Sequence, residues 1–231
     1  MVDVRPPDLR SAVGRFPKRH AIALGLVLSL IAAAPARAEQ PPYRSSIERL
    51  DDETKALMKG ASWHPGCPVA LHELRLVHVR IWGFDHASHA GQLVVKRRWA
   101  DDMAKVFRRL YNARFPIRRM RLVDHYGADD DKSMKADNTS AFNCRFVAGT
   151  TSWSQHAYGR AIDINPVENP FVDGSHVSPP NGKKYANRAL HRRGMIHLHD
   201  VVWHAFDNIG WGWGGTWSGA KDYQHFSSTG T

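Results

Sequence analysis

Ser154-Gln155-His156-Ala157-Tyr158-Gly159-Arg160-Ala161-Ile162-Asp163-Ile164-Asn165 is the stretch on which the reading of this chain turns. It sets a His and an Asp seven positions apart, with a Gly between them, and ends in an alternating apolar run. Fully extended, the chain would hold His156 and Asp163 roughly 23 Å apart. For both to reach one ion it must fold back near Tyr158-Gly159, where glycine tolerates positive φ. Imidazole nitrogen and carboxylate oxygen both bind zinc at about 2.0–2.2 Å. Two ligands are not a site, so the rest of the chain has to supply more.

A chain of 231 residues, 42% hydrophobic and 10% aromatic, can bury one normal core. Its N-terminus has the pattern of an export signal. Arg15, Lys18, Arg19 and His20 precede the apolar run Ala21–Ala34, and Ala36-Arg37-Ala38 offers small residues for cleavage after Ala38. That run is shorter than the ~20 residues needed to cross a bilayer. The expected layout is a signal at 1–38, an arm with a short helix at 39–62, and a main domain at 63–228. The expected location is the periplasm or cell wall, with no membrane span after cleavage and the chain a monomer. The leader holds six of 32 cations and two of 22 acids, so the remainder carries about +6. That charge suits an anionic envelope or a carboxylate substrate. No basic-aromatic motif for nucleic acid is present.

Cys67 and Cys144 are the two cysteines. In an exported chain they are either a disulfide or two buried thiols that never meet. Without a second pair, a cysteine-based metal site is not expected.

Along the arm, Ile47, Leu50, Thr54, Leu57 and Met58 recur at helical spacing, so Ser46–Lys59 is expected as a helix. Leu74–Phe84 and Gln92–Val95 are strand-like, joined by a loop at Gly83–His89. Trp99, Met103, Val106, Phe107, Leu110 and Tyr111 share one helical face. Ile117–Asp124 is expected as a further strand. Asp129-Asp130-Asp131-Lys132 is expected as a solvated loop, since EF-hand spacing is absent. Residues 165–184, rich in proline, are expected as a long loop lining a cleft. Asp200 can cap a helix that stops at Gly210.

Catalytic zinc takes three protein ligands and leaves one position open. His225 is the candidate third ligand, because Asp222 stands three residues before it as a candidate general base. Arg145, eleven residues before His156, could steady an oxyanion or a substrate carboxylate. His197-Leu198-His199, with His204 nearby, could share one face, but no acid stands at a telling spacing. No His-Glu-x-x-His is present.

Ser154-x-His156-x-x-Gly159-x-Ala161-x-Asp163 with the distant Asp222-x-x-His225 resembles the zinc-dependent D-alanyl-D-alanine peptidases. The likeness is to the branch with Asp before the last ligand, which includes phage L-alanyl-D-glutamate endolysins. Asn138–Arg145, Asn165-Pro166 and Trp211–Gly215 share it, so it spans about residues 63–228. It implies one zinc ion held by His156, Asp163 and His225, with Asp222 as base and Arg145 as the substrate or transition-state cation. Ser154 would lie near the substrate, and Trp213 is either a pocket wall or core. It also implies an α+β fold, a small mostly antiparallel sheet with helices packed on it, as in the hedgehog domain. The implied substrate is a peptidoglycan stem peptide cut as a D-alanyl-D-alanine carboxypeptidase. The rivals are an L-alanyl-D-glutamate endopeptidase and a non-catalytic, zinc-containing wall-binding module.

Overall fold

The apolar alternation of residues 74–96 folds as a long antiparallel hairpin. The computed structural model describes residues 1–2 and 40–231; the expected signal and its cleavage site lie outside them. Ser45–Glu48 (β1) lies along Leu74–Trp82 (β2), which pairs along its whole length with Ser88–Lys96 (β3). Between β1 and β2 stands the short helix Asp52–Met58 (α1). The single helix expected over Ser46–Lys59 is therefore two elements. Ile47 pairs with Val77 in extended backbone, and the Asp51 side chain accepts from the Thr54 amide at 2.7 Å, so the helix starts only there.

Ala100–Asn112 (α2) lays Met103, Val106, Phe107, Leu110 and Tyr111 on the β2–β3 sheet, all essentially inaccessible. Burying such side chains stabilises by about 1.5–3 kcal/mol each. Beyond α2 the chain is less regular than its sequence suggests. Only Arg119–Met120 (β4) of the expected strand 117–124 pairs, in parallel, with Asn138–Thr139 (β5). Val123–Tyr126 is a 3₁₀ turn instead, and the Asp124 carboxylate accepts from the Ser62 amide at 3.1 Å. The acidic run is not a solvated loop. Asp129 caps the helix Asp130–Lys135 (α3) by accepting from the Lys132 amide at 3.0 Å.

Ala161–Asp163 (β6) follows the quoted turn. The expected long loop then contains a second hairpin, Phe171–Asp173 (β7) with His176–Ser178 (β8), and a 3₁₀ turn at Pro180–Tyr185. Val201–Asp207 (α4) is capped by Asp200, which accepts from the Trp203 amide at 2.8 Å, and packs on α2. Gly212–Trp213 (β9), Lys221–Asp222 (β10) and His225–Ser227 (β11) complete the chain. Four small sheets result among the described residues: β1-β2-β3, β10-β7-β8, β6-β11-β9 and β4-β5. The architecture is α+β, and Gln40–Thr231 form one compact unit. The expected single sheet is divided because, beyond β1–β3, short strands, caps and turns interrupt each pairing after two or three residues.

Cys67 and Cys144 are joined in a disulfide across 77 residues. Closing a loop of that length stabilises by roughly 4–5 kcal/mol in the chain-entropy model.

Glu168 is 2% exposed and lies against Asp137 and Arg118, with Arg118 Nη2 3.6 Å from Oε1. Burial first, then the hydrogen bond and charge of Asp137, push its carboxyl up to about 8. An acid whose folded pKa is raised disfavours folding above its unfolded pKa, so this cost grows as pH rises from about 4.5 through 8. Glu168→Gln, which imitates the protonated acid, should therefore raise the thermal midpoint more at pH 8.5 than at pH 5. Paired calorimetric scans check this; an equal shift at both values would contradict it.

Candidate metal centre and active site

A tight turn and a strand pair build the centre of the quoted stretch. Gln155–Tyr158 forms a 3₁₀ turn whose first residue follows Ser154; the Ser154 Oγ accepts from the His156 amide at 3.3 Å. Gly159 then reverses the chain at φ +61°, where a Cβ would stand 2.6 Å from the Lys96 amide nitrogen. That close approach, together with the positive φ, requires glycine. The chain passes from the turn into β6, and β6 runs antiparallel to β11 with Asp163 opposite His225. Directly opposed residues project to the same face of a sheet. The 62-residue separation of Asp163 and His225 thus closes to a 3.0 Å contact.

His156, Asp163 and His225 are 3%, 5% and 6% exposed. His156 Nε2 lies 3.3 Å from His225 Nδ1 and 3.2 Å from Asp163 Oδ2, and His225 Nδ1 lies 3.0 Å from Asp163 Oδ1. Around an ion with ligand bonds of about 2.0–2.1 Å, a tetrahedral site has edges of about 3.3 Å. The two imidazole nitrogens already have nearly that spacing from each other, and each has it from one of the two Asp163 oxygens. The outer nitrogens are also committed: His156 Nδ1 donates to the Ala141 carbonyl at 2.5 Å, and His225 Nε2 to the Thr231 carbonyl at 3.4 Å. In the neutral rings these bonds leave the lone pairs of His156 Nε2 and His225 Nδ1 facing the cluster, as metal ligation requires. The donor set, two imidazoles and a carboxylate, suits zinc.

Burial alone would raise the Asp163 carboxyl, but the charges and hydrogen bonds of His156 and His225 outweigh it and hold it well below the usual carboxylate range. Burial would lower His225, and the hydrogen bond and charge of Asp163 reverse this. Asp222 behaves differently. Burial foremost, then the negative Asp163, push it up to about 7 against the pull of His225 and His156. Its Oδ1 is buried with no hydrogen-bond partner among the described residues. A Cβ on Gly214 would stand 2.5 Å from the Asp222 carbonyl oxygen, so glycine there lets β10 approach.

The cluster opens into a cavity of about 430 Å³ shared by Arg145, Ser154, His156, Asp163, Asp222 and His225. A larger groove of about 550 Å³ runs along β1–β3, but its His78 and His89 face Glu48 and Asp85 and no ligand set converges there. Arg145 and Ser154 stand at the base of a hairpin, joined by a 3.0 Å bond from the Ser154 amide to the Arg145 carbonyl. Arg145 Nη2 also donates to Asp130 Oδ2 at 2.6 Å.

Trp213 does not line the cavity. It is 5% exposed, its ring packs near Phe226, and its Nε1 donates to the Tyr223 carbonyl at 2.9 Å, so it belongs to the core. The aromatic walls are Trp153, Phe171 and Trp217. No spacing in the sequence marks Phe171, and Trp217 stands in the same Gly-Trp run as Trp213, where only the packing separates wall from core. His197 stacks on His191 at 4.2 Å, and the rings of His199 and His204 lie 6.1 Å apart, so these histidines form no shared ligand set. One other cluster of ligand type exists among the described residues, His64 with Cys67 and Cys144, but both of its sulfurs are in the disulfide.

Comparison with curated proteins and with solved structures gave no match. A family model described as D-alanyl-D-alanine carboxypeptidase matches residues 148–228. That segment holds His156, Asp163, Asp222 and His225, and it begins three residues after Arg145. Residues 148–228, about a third of the chain, are thus similar to the D-alanyl-D-alanine carboxypeptidase family of peptidases.

Proposed function

We propose that this protein is a zinc-dependent peptidase of D-amino-acid-containing peptidoglycan stem peptides, cutting as a D-alanyl-D-alanine carboxypeptidase outside the cytoplasmic membrane. The ligand triangle of His156, Asp163 and His225, with Asp222 on the same cavity, carries the reading. These three residues would hold the ion. Zinc supplies Lewis acidity and draws the pKa of water towards 7 when it is bound.

The chain's own groups supply the rest. Asp222, half-buried, with its Oδ1 inaccessible and without a partner among the described residues, takes the proton of the attacking water and returns it to the leaving amine. Arg145 donates to the oxygen of the scissile carbonyl as charge develops there. Ser154 and the aromatic walls Trp153, Phe171 and Trp217 bound the space for the peptide. The export pattern before Ala38 and the Cys67–Cys144 disulfide both support an oxidising, extracytoplasmic location.

Incubating the zinc-loaded protein with purified pentapeptide muropeptides, and reading product masses, tests this. Loss of the terminal D-alanine is the expected result. A cut between L-alanine and D-glutamate would move the assignment to an endopeptidase, and intact muropeptides would leave a non-catalytic wall-binding protein.

A further inference from the structure

The acidic run that resembles a solvated loop instead delivers a carboxylate to Arg145, which lines the cavity of the candidate site. Gly127 and Ala128, at φ +69° and +57°, turn the chain into α3, and Asp130 is the first residue of that helix. Two bonds tie this corner to the strand carrying Arg145. The buried Asn143 side chain donates Nδ2 to the Ala128 carbonyl at 3.3 Å, and two residues later Arg145 Nη2 donates to Asp130 Oδ2 at 2.6 Å. The pair is partly sheltered, with side-chain exposures of 31% for Arg145 and 25% for Asp130. Charge-assisted bonds that short and that sheltered hold a geometry, unlike mobile surface pairs.

The donor count of Arg145 sharpens the point. Nη1 reaches the Phe146 carbonyl only at 3.4 Å, and Nε is buried with no acceptor among the described residues. The one strong bond that orients the guanidinium is therefore the one to Asp130. The long side chain has several rotatable bonds, and without that contact its placement at the cavity would be one of many. A preorganised donor accelerates a reaction because no reorganisation is needed as charge develops.

We infer that Asp130 is a positioning residue for the reaction. It fixes the Arg145 guanidinium at the cavity so that the remaining donors are available to the substrate, without touching the substrate itself. This rests on the assignment of Arg145 as the oxyanion donor. Asp130→Asn should lower kcat/KM by about 10- to 100-fold, mainly through kcat, with zinc content and thermal midpoint near those of the parent. Asp130→Glu should recover part of the loss. The double variant Asp130→Asn/Arg145→Lys should be no slower than Arg145→Lys alone, since the two residues act as one unit.

In protein labelled with ¹⁵N-arginine, the guanidinium resonances missing from Arg145→Lys should show restricted rotation in the parent and free rotation in Asp130→Asn. This readout does not depend on turnover. Full activity in Asp130→Asn, additive losses in the double variant, or an unchanged Arg145 signal would each overturn the inference. If Arg145→Lys itself costs nothing, the oxyanion assignment fails. If Arg145→Lys is slow and Asp130→Asn is not, only the positioning role fails.

Discussion

Asp222→Ala should bind zinc at close to one ion per chain, stay folded, and hydrolyse muropeptides at least about a hundredfold more slowly than the parent. The geometry separates the two roles. The ligand triangle is closed by His156, Asp163 and His225, whose donor atoms lie 3.0–3.3 Å apart, and Asp222 is no member of it. Removing Asp222 takes out a half-buried acid that repels Asp163, so nothing in the cluster is left unpaired. What is lost is the proton acceptor. A base works only when ionised, and burial with the nearby Asp163 charge holds Asp222 up to about 7, while His225 and His156 pull it down. The sign follows: kcat/KM should rise with pH as Asp222 ionises, and a bound cation should move that rise to below 7. Metal analysis, thermal scans and pH–rate profiles on parent and variant check each part. Unchanged turnover in Asp222→Ala would remove the base assignment, and an acidic limb that persists in the variant would give it to another group.

His225→Ala should have the larger effect, removing both the metal and the activity. It deletes one ligand and leaves Asp163 buried with His156 as its remaining partner in the cluster. Leaving a buried charge short of its partner typically costs 3–5 kcal/mol. Zinc content should fall well below one per chain at equimolar metal, turnover should drop by at least about 10³, and the midpoint of the metal-free protein should fall too. Chelation of the parent should reproduce the loss of turnover, and added zinc should restore the parent but not the variant. Stoichiometric zinc in His225→Ala would mean that the third ligand lies elsewhere.

The site was more legible in the sequence than the fold around it. His156, Asp163 and His225 could be named as candidate ligands because metal ligation restricts residue type, and Asp222 as candidate base from its place three residues before His225. Gly159 marked the turn because only glycine fits that φ against Lys96. The long amphipathic helix and the β2–β3 hairpin were legible for a similar reason, since each has a sustained period. The errors fall where local chemistry overrides the apolar pattern. Asp51 starts a helix in what looks like the middle of one, and the pairing of β1 with β2 takes the residues before it. Asp130 looks solvated because its partner, Arg145, is 15 residues away and no short-range rule links them. Trp213 and Trp217 stand four residues apart in one Gly-rich run, and only tertiary packing assigns one to the core and the other to the cavity.

The opposed placement of Asp163 and His225 divides the chain by its tolerance of change. Everything between them is a detour that leaves one face of a strand pair and comes back to it. Insertions or deletions in its loops, away from β9 and β10, leave the register of β6 and β11 untouched, and so leave the ligands opposed. A one-residue slip inside either strand would turn its ligand to the other face. Phe171 and Trp217, which wall the cavity, both lie in the detour. Which peptide fits can therefore be rewritten by changing loops, while two of the three candidate ligands stay locked in two three-residue strands.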